Sequence, residues 1–296
     1  MSSKGPFLHA SDNLGFAPVR ATFIPTHDGL KLCRVSAFSS RKFLKPGWEV
    51  CKEIQEACVS AEAPDEIFSY IPDDYLQGIE ATMSKDIDDE TAKRYHAINL
   101  RRAQRRARLH ALDLIMCNSQ LDTFCTFTYA PSDNLDRVSY DECYSVLKPW
   151  LSNRVTRRGL SYVCATEKQK KGGIHFHMLA NSEALKLEAA HSPYTGKPLM
   201  HGSKPLFNVS DWKHGFSSAE SVSGEDASTK VAKYIFKYMA KNDTMIGGRY
   251  FLHGGKLAEP VYCYGESVDE FVNGEPTFEK NVNIGDHITY RELSFM

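Results

Sequence analysis

The segment Gly172–Leu179, GGIHFHML, constrains the fold of this chain more than any other. Apolar residues alternate in it with two histidines, which is the side-chain period of a β-strand. The three apolar residues at the even positions 174–178 then share one face, while His175 and His177 share the other. We expect the apolar face to lie on the core and the imidazoles to face outward, two residues apart, where both can bind one metal ion.

Glu167 is the candidate third ligand, because a strand over 161–167 ends at this carboxylate and a turn at 168–173 leads back into the histidine strand. In an antiparallel pair, residues opposite each other share a face. Glu167 therefore joins the histidines only if odd residues pair with odd ones, for example Glu167 opposite His175. A slip of one residue would turn Glu167 toward the core, and a surface carboxylate at the hairpin edge is the alternative.

Two histidines and one carboxylate with open coordination positions suit Mg²⁺, Mn²⁺ or Fe²⁺. The iron-binding triad of non-haem oxygenases uses similar ligands, and this alternative predicts no paired tyrosines elsewhere in the chain. A solvated strand face that binds no metal is the other interpretation of His175 and His177.

A second motif, KVAKYIFKYMAK at 230–241, predicts an amphipathic helix within 227–241. Tyr234 and Tyr238 lie four residues apart, so their Cβ atoms are about 6 Å apart on one helix face. They lie between an apolar stripe and a basic stripe, which consists of Lys230, Lys233, Lys237 and Lys241. An amphipathic helix whose tyrosines only border the core is the alternative.

The two motifs together suggest a reaction. A free tyrosine has a pKa near 10, and lysine charge with a nearby metal favours its phenolate. The phenolate can attack a phosphodiester and form a covalent phosphotyrosine. We therefore assign Tyr234 and Tyr238 as nucleophiles, Lys237 and Lys241 as catalytic cations, and Lys230 and Lys233 as DNA-binding residues.

The order of the remaining elements predicts an α+β fold. Extended segments at 19–24 and 30–38 precede a helix at 48–62 and a long helix at 91–116. A strand at 123–129, a helix at 140–156 and the strands at 161–167 and 174–180 follow. This order favours a central antiparallel sheet with helices on one side, and the tail from Gly247 is predicted to form loops with short strands.

Charge and cysteines limit the function further. The net charge is −1, yet RRAQRRAR at 101–108 forms a local basic segment. Its Arg101, Arg102, Arg105 and Arg106 are candidate DNA contacts, unless they form only a solvated helix face. The eight cysteines include no C-x-x-C pair, which disfavours a zinc ribbon. With no export signal, we expect reduced thiols in a cytoplasm.

Taken together, the motifs resemble those of the HUH-type replication initiators of rolling-circle elements, especially of small circular single-stranded DNA phages. TFCTFTY at 123–129 looks like their first motif strand, and TEKQKKGGIHFHML at 166–179 like their Glu and His-x-His hairpin. YIFKYMAK at 234–241 looks like their paired-tyrosine motif. The resemblance covers roughly residues 115–255, and we expect regions 1–114, 115–255 and 256–296 to be an accessory region, the endonuclease core and a tail.

The resemblance implies an antiparallel sheet of about five strands, with the histidines on a central strand that faces the tyrosine helix. It implies Mg²⁺ or Mn²⁺, single-stranded DNA at the replication origin, and a 5′-phosphotyrosine intermediate with a free 3′-hydroxyl for the host DNA polymerase. No G-x-x-x-x-G-K-[ST] loop occurs in the chain, so unwinding is expected to need a host helicase. No membrane association is expected, and a phage-encoded initiator would act in the cytoplasm of the bacterial host.

Two other functions fit part of this pattern. A plasmid relaxase or transposase of the same superfamily would share the chemistry and move a different element. A DNA-binding protein without catalysis would use the arginine segment and the lysine stripe for phosphate contacts. Formation of a covalent adduct separates it from the nicking and joining enzyme.

Overall fold

The computed structural model of the chain describes residues 16–26, 29–40, 89–132, 134–169, 172–222, 248–264, 276–284 and 288–295. The helices and strands are, in chain order, β1 (Phe16–Thr26), β2 (Gly29–Ser40), α1 (Asp89–Cys117), β3 (Thr123–Thr128), α2 (Tyr140–Arg158), β4 (Tyr162–Lys168), β5 (Ile174–Ala180), β6 (Leu187–Ala189), β7 (Met200–His201), β8 (Lys204–Pro205), β9 (Phe207–Val209), β10 (Ser217–Ser221), β11 (Phe251–Gly254), β12 (Val261–Tyr264), β13 (Phe278–Ile284) and β14 (Ile288–Ser294).

The chain forms two compact units. The first contains Met1–Arg106 together with Pro260–Met296, and the second contains Ala107–Glu259. Among the described residues, the first unit has five strands in one sheet, in the order β12-β1-β2-β14-β13, and its buried core residues include Phe23, Val35 and Leu293. Both ends of the chain therefore contribute strands to one sheet, which the local sequence patterns did not predict.

The second unit is built on a sheet in the order β11-β4-β5-β3-β10-β9-β6. All of its described strand pairs are antiparallel. The expected α+β fold with a central antiparallel sheet is thus confirmed, and the described residues form seven strands of this sheet where about five were expected. Strand β5, which carries the histidines, lies inside the sheet between β4 and β3, so both of its edges are hydrogen-bonded.

Helices cover both faces of this sheet. On one face, Cys143, Leu147 and Trp150 of α2 pack on a core that includes Phe127 and Phe176. On the other face, the part of α1 that belongs to the second unit packs on the sheet through Ala111, Leu114 and Ile115, which contact a cluster that includes Phe124, Val163 and Leu179. The expectation of helices on one side only was wrong, because the apolar stripe of α1 has its own sheet face to cover.

Helix α2 has clear signals at both ends. The Ser139 side chain accepts a hydrogen bond from the Glu142 backbone N–H, which satisfies one of the free donors of the first turn. Gly159 ends the helix with a φ of 70°, a left-handed conformation that suits glycine. The buried positions of α2 recur at helical spacing, so this helix presents one apolar stripe to the sheet.

Most of the other predicted elements are present in the structure. The strands predicted at 19–24 and 30–38, the helix at 91–116 and the elements between 123 and 180 are confirmed with small changes at their ends. The helices predicted at 48–62 and 227–241 lie outside the described residues. None of the described helices combines the length and apolar character needed to cross a membrane. Five cysteines of the described part are free thiols, namely Cys33, Cys117, Cys125, Cys143 and Cys164.

Candidate metal centre

Glu167, His175 and His177 form a cluster on one face of the second sheet. The antiparallel register of β4 and β5 places Glu167 opposite His175 and Ala165 opposite His177. This is the odd-with-odd register that the sequence required for a shared face. One ligand atom from each of the three side chains lies within 4.8 Å of the others. The structure therefore brings together all three residues that the sequence singled out as metal ligands.

Hydrogen bonds hold the inner histidine on both ring nitrogens. His177 Nε2 lies 2.9 Å from Glu167 Oε2, and His177 Nδ1 lies 3.1 Å from Thr126 Oγ1. Thr126 stands directly opposite His177 on strand β3, so the sheet register itself fixes this contact. The ring also stacks on Phe124, with centroids 5.9 Å apart and an interplanar angle of 8°. These contacts fix the position and orientation of the imidazole.

His175 lies in a more open position near the start of β5. Its Nδ1 is 3.2 Å from the side-chain nitrogen of Gln169, a residue of the β4–β5 turn. Partial burial lowers the pKa of His175, while the neighbouring Glu167 carboxylate opposes this effect. Since burial dominates, the neutral imidazole is favoured, and a histidine must be neutral to bind a metal ion.

The burial of His177 corrects one expectation. Its exposure is only 4%, whereas the sequence predicted that both histidines face outward. The reason is that α1 packs on this face. Both faces of β5 are therefore covered, and the histidine face is not a solvent face. The sheet neighbours of His177 are Thr126 and Ala165, which are small enough to leave room for the imidazole.

The arginine segment of α1 does not behave as one surface. Arg102 is buried and donates to Asn99 Oδ1 (3.0 Å), while Arg105 forms an ion pair with Glu292 (2.5 Å). Arg101 and Arg106 are exposed. Contact with DNA by any of the four remains a prediction, and the exposed pair is better placed for it.

The other predicted site residues lie outside the described residues. These are the paired tyrosines and the lysine stripe, namely Tyr234, Tyr238, Lys230, Lys233, Lys237 and Lys241. Their nucleophilic, catalytic and DNA-binding roles remain predictions from their spacing.

Sequence reasoning missed Thr126 and Gln169, which contact the two histidines. The signal for Thr126 was present in TFCTFTY, where threonine alternates with apolar residues in the period of a strand. Cys125 and Phe127, on either side of it, belong to the core of the opposite face. Gln169 left no such signal, because the turn conformation determines which way its side chain points.

Comparison with protein families gives one match. Residues 122–243 match the family described as replication-associated protein ORF2, and this range contains the Glu167–His175–His177 cluster and the paired-tyrosine motif. Comparisons with curated proteins and with solved structures gave no significant match. The matched range is less than half of the 296-residue chain, so the similarity concerns this segment.

Proposed function

We propose that this protein is a replication initiator that nicks single-stranded origin DNA by metal-dependent tyrosine transesterification. It would form a 5′-phosphotyrosine and later rejoin the strand in rolling-circle replication, with a host helicase and DNA polymerase as partners. The observation that carries the proposal is the convergence of Glu167, His175 and His177 within 4.8 Å in a segment that matches a replication-associated family.

The donor set of the cluster fits a divalent cation such as Mg²⁺ or Mn²⁺. Two imidazoles and one carboxylate supply three ligands and leave coordination positions for oxygens of a substrate. His175, His177 and Glu167 would hold the ion. When bound, such an ion withdraws charge from the phosphate oxygens of the scissile group and orients that group.

Thr126 is suited to prepare His177 for this task. Without a cation, the Nε2–H of a neutral His177 can donate to Glu167, and the Thr126 hydroxyl can donate to Nδ1. To bind a cation, Nε2 must present its lone pair, so that the proton resides on Nδ1 and the hydroxyl accepts. A hydroxyl serves in both arrangements because it both donates and accepts, so Thr126 selects neither tautomer at the expense of the other.

The covalent step is assigned to the paired tyrosines. The phenolic oxygen of Tyr234 or Tyr238 attacks the phosphorus, and the new P–O bond replaces the bond between phosphorus and the 3′ oxygen of the neighbouring nucleotide. The phenol loses its proton to solvent, and the departing oxygen takes up a proton as a 3′-hydroxyl. Positive charge on Lys237 and Lys241 favours the phenolate that attacks.

The second tyrosine explains how the strand is closed. Transesterification conserves the phosphodiester bond energy in the protein–DNA linkage, so a later attack on that linkage can rejoin the DNA without a further energy source. A second phenol four residues away can attack a new phosphodiester while the first remains linked. We favour Tyr238 as the first nucleophile.

The test is incubation with single-stranded DNA that carries a rolling-circle origin, in the presence of Mn²⁺, followed by denaturing electrophoresis. We expect a covalent protein–DNA adduct, and mass spectrometry of the nuclease-trimmed adduct should locate it on Tyr234 or Tyr238. The Tyr234→Phe and Tyr238→Phe variants lose only a hydroxyl and should keep the fold. The double variant should form no adduct, and at least one single variant should nick without closing circles.

The alternatives predict other outcomes. A protein that binds DNA without any adduct is a non-catalytic binding protein, and adduct formation in the double variant would overturn the tyrosine mechanism. Preference for a plasmid transfer origin or a transposon end would indicate a relaxase or transposase. Turnover with Fe²⁺ and a 2-oxoacid, independent of DNA, would indicate the oxygenase.

A further inference from the structure

Glu167 and His175 of the candidate metal centre belong to a row of side chains that runs across the second sheet. Glu167 lies opposite His175, and His175 lies opposite Thr128 on strand β3. The next position is Phe216, whose carbonyl accepts a hydrogen bond from the Thr128 backbone N–H at 2.9 Å. This bond continues the β3–β10 ladder by one position beyond Ser217. With strands about 4.8 Å apart, the Phe216 backbone lies about 10 Å from that of His175.

Phe216 shares the face of the cluster and is exposed. Ser217 and Ala219, its neighbours at odd positions, are buried, and Ala219 belongs to the core of the opposite face. By alternation, Phe216 is directed to the face that carries His175. Its exposed fraction is 56%. A single exposed apolar residue is ordinary on a protein surface. What distinguishes Phe216 is its position in the same row as His175 and Glu167.

The backbone that presents Phe216 is held tightly. Gly215 has a φ of 154°, and a Cβ there would lie 2.2 Å from the Thr128 carbonyl oxygen. On either side of this close approach, Thr128 N–H donates to Phe216 and Ala130 N–H donates to His214, both at 2.9 Å. The ring of Phe216 is thus offered on a fixed backbone, which reduces the entropy lost when a ligand binds.

The end of the sheet that carries His175 also has exposed charged side chains of both signs. Strand β3 ends there, strand β4 ends there, and β5 and β10 begin there. Exposed Arg137, Lys168 and Lys213 lie in or beside the connecting loops. Asp136, next to Arg137, has one carboxylate oxygen accepting from the Val138 backbone N–H at 3.0 Å. Exposed Asp141 and Glu142 lie in the same region, at the start of α2. The cations that a polyanion could contact beside Phe216 are therefore Lys168 and Lys213.

We propose that Phe216 is a stacking platform for a base of single-stranded DNA, close to the nucleotide whose phosphate lies at the metal cluster, with Lys213 contacting the backbone. This inference rests on the proposed function and adds a substrate-binding residue to it. Single-stranded DNA is the partner that fits, because aromatic rings stack on bases of any sequence while basic groups follow the phosphates. Among the described residues at this end, Phe216 and Val138 are the exposed large apolar side chains, which is too little apolar surface for the core of a protein interface.

The test compares Phe216→Ala, Phe216→Trp and Tyr194→Ala in binding a short fluorescein-labelled oligothymidylate, measured by anisotropy in EDTA. Tyr194 is the matched control, since it is an exposed aromatic (95%) of the same unit that lies in the turn between His191 and Pro198. Because stacking contributes about 1–3 kcal/mol per base, we expect Phe216→Ala to raise Kd about tenfold. Phe216→Trp should bind as wild type or more tightly, and Tyr194→Ala should bind as wild type.

Two further measurements distinguish the stacking role of Phe216 from the proposed nicking function. Mn²⁺ affinity of Phe216→Ala, measured by calorimetry, should equal that of wild type, since the ring is not a ligand. Ultraviolet crosslinking to the same oligothymidylate, followed by peptide mapping, should place a crosslink on Phe216. If Phe216→Ala binds as tightly as wild type while wild type still forms its covalent adduct, the stacking role is wrong and the proposed function stands. Absence of any DNA binding by wild type would overturn both.

Discussion

The two faces of strand β5 differ in chemistry although both are covered by helices. The even positions, including Phe176 and Met178, are fully buried in the core under α2. The odd positions carry His175, His177 and then Leu179, which packs under α1. One face therefore holds the strand in place, while the other keeps two imidazoles beside a carboxylate. The histidine face can be polar because the apolar residues on the opposite face of β5 hold the strand against the core under α2.

The largest effect is expected on the core face. Phe176→Ala should lower the free energy of unfolding by about 3–5 kcal/mol, because the ring is fully buried and contacts the rings of Tyr129 and Tyr140. Chemical denaturation followed by circular dichroism measures this change. Phe176→Leu is the milder control. A decrease below about 1 kcal/mol for the alanine variant, well under the usual range, would mean that the face under α2 does not anchor the strand.

The next largest effect is a loss of stability that should differ between the two histidines. His177→Ala should lower the free energy of unfolding by about 1–3 kcal/mol, because it removes a buried ring that makes two hydrogen bonds. His175→Ala should cost less, since His175 is only half-buried. Both variants should lose Mn²⁺ binding and nicking activity.

Chemical denaturation compares the stability of the two variants, calorimetry measures their Mn²⁺ affinity, and the adduct assay measures nicking. Equal destabilisation by the two variants would contradict the burial difference. Nicking at the wild-type rate by either variant would remove that histidine from the metal centre. Glu167→Ala should weaken Mn²⁺ affinity, and an unchanged affinity would show that another carboxylate completes the ligand set.

The sequence predicted much of the second unit for a physical reason. Alternation in TFCTFTY and GGIHFHML identifies two strands and the faces of their side chains. Alternation does not reveal what covers each face, so the burial of His177 was missed. The register of Glu167 against His175 depends on the conformation of the turn at 168–173, and alternation within each strand does not determine that conformation. The joining of the two chain ends in one sheet depends on pairing between strands as distant in sequence as β2 and β14, which local patterns do not encode.

A smaller effect is expected at Thr126, whose hydroxyl is hydrogen-bonded to His177. Thr126→Val should weaken Mn²⁺ affinity about 10- to 100-fold, the usual result of removing a hydrogen bond that orients a ligating histidine. Thr126→Ser should restore the affinity, because it returns the hydroxyl. Nitrogen-15 NMR of the His177 ring should show the loss of the hydrogen bond at Nδ1 in the valine variant. If serine and valine variants bind Mn²⁺ equally, Thr126 acts only through packing.

The smallest effect extends the comparison to helix α1, where charged side chains again differ in their exposure. Arg105 is paired with Glu292, whereas Arg101 and Arg106 are exposed. Replacing the exposed pair with glutamine should flatten the salt dependence of single-stranded DNA binding, by about 0.7 in the slope of log affinity against log salt for each phosphate that these arginines neutralise. Arg105→Gln should instead lower stability and leave the slope unchanged. A slope that responds to Arg105→Gln and not to the exposed pair would reverse this assignment, and no response to either would make the segment a solvated helix face.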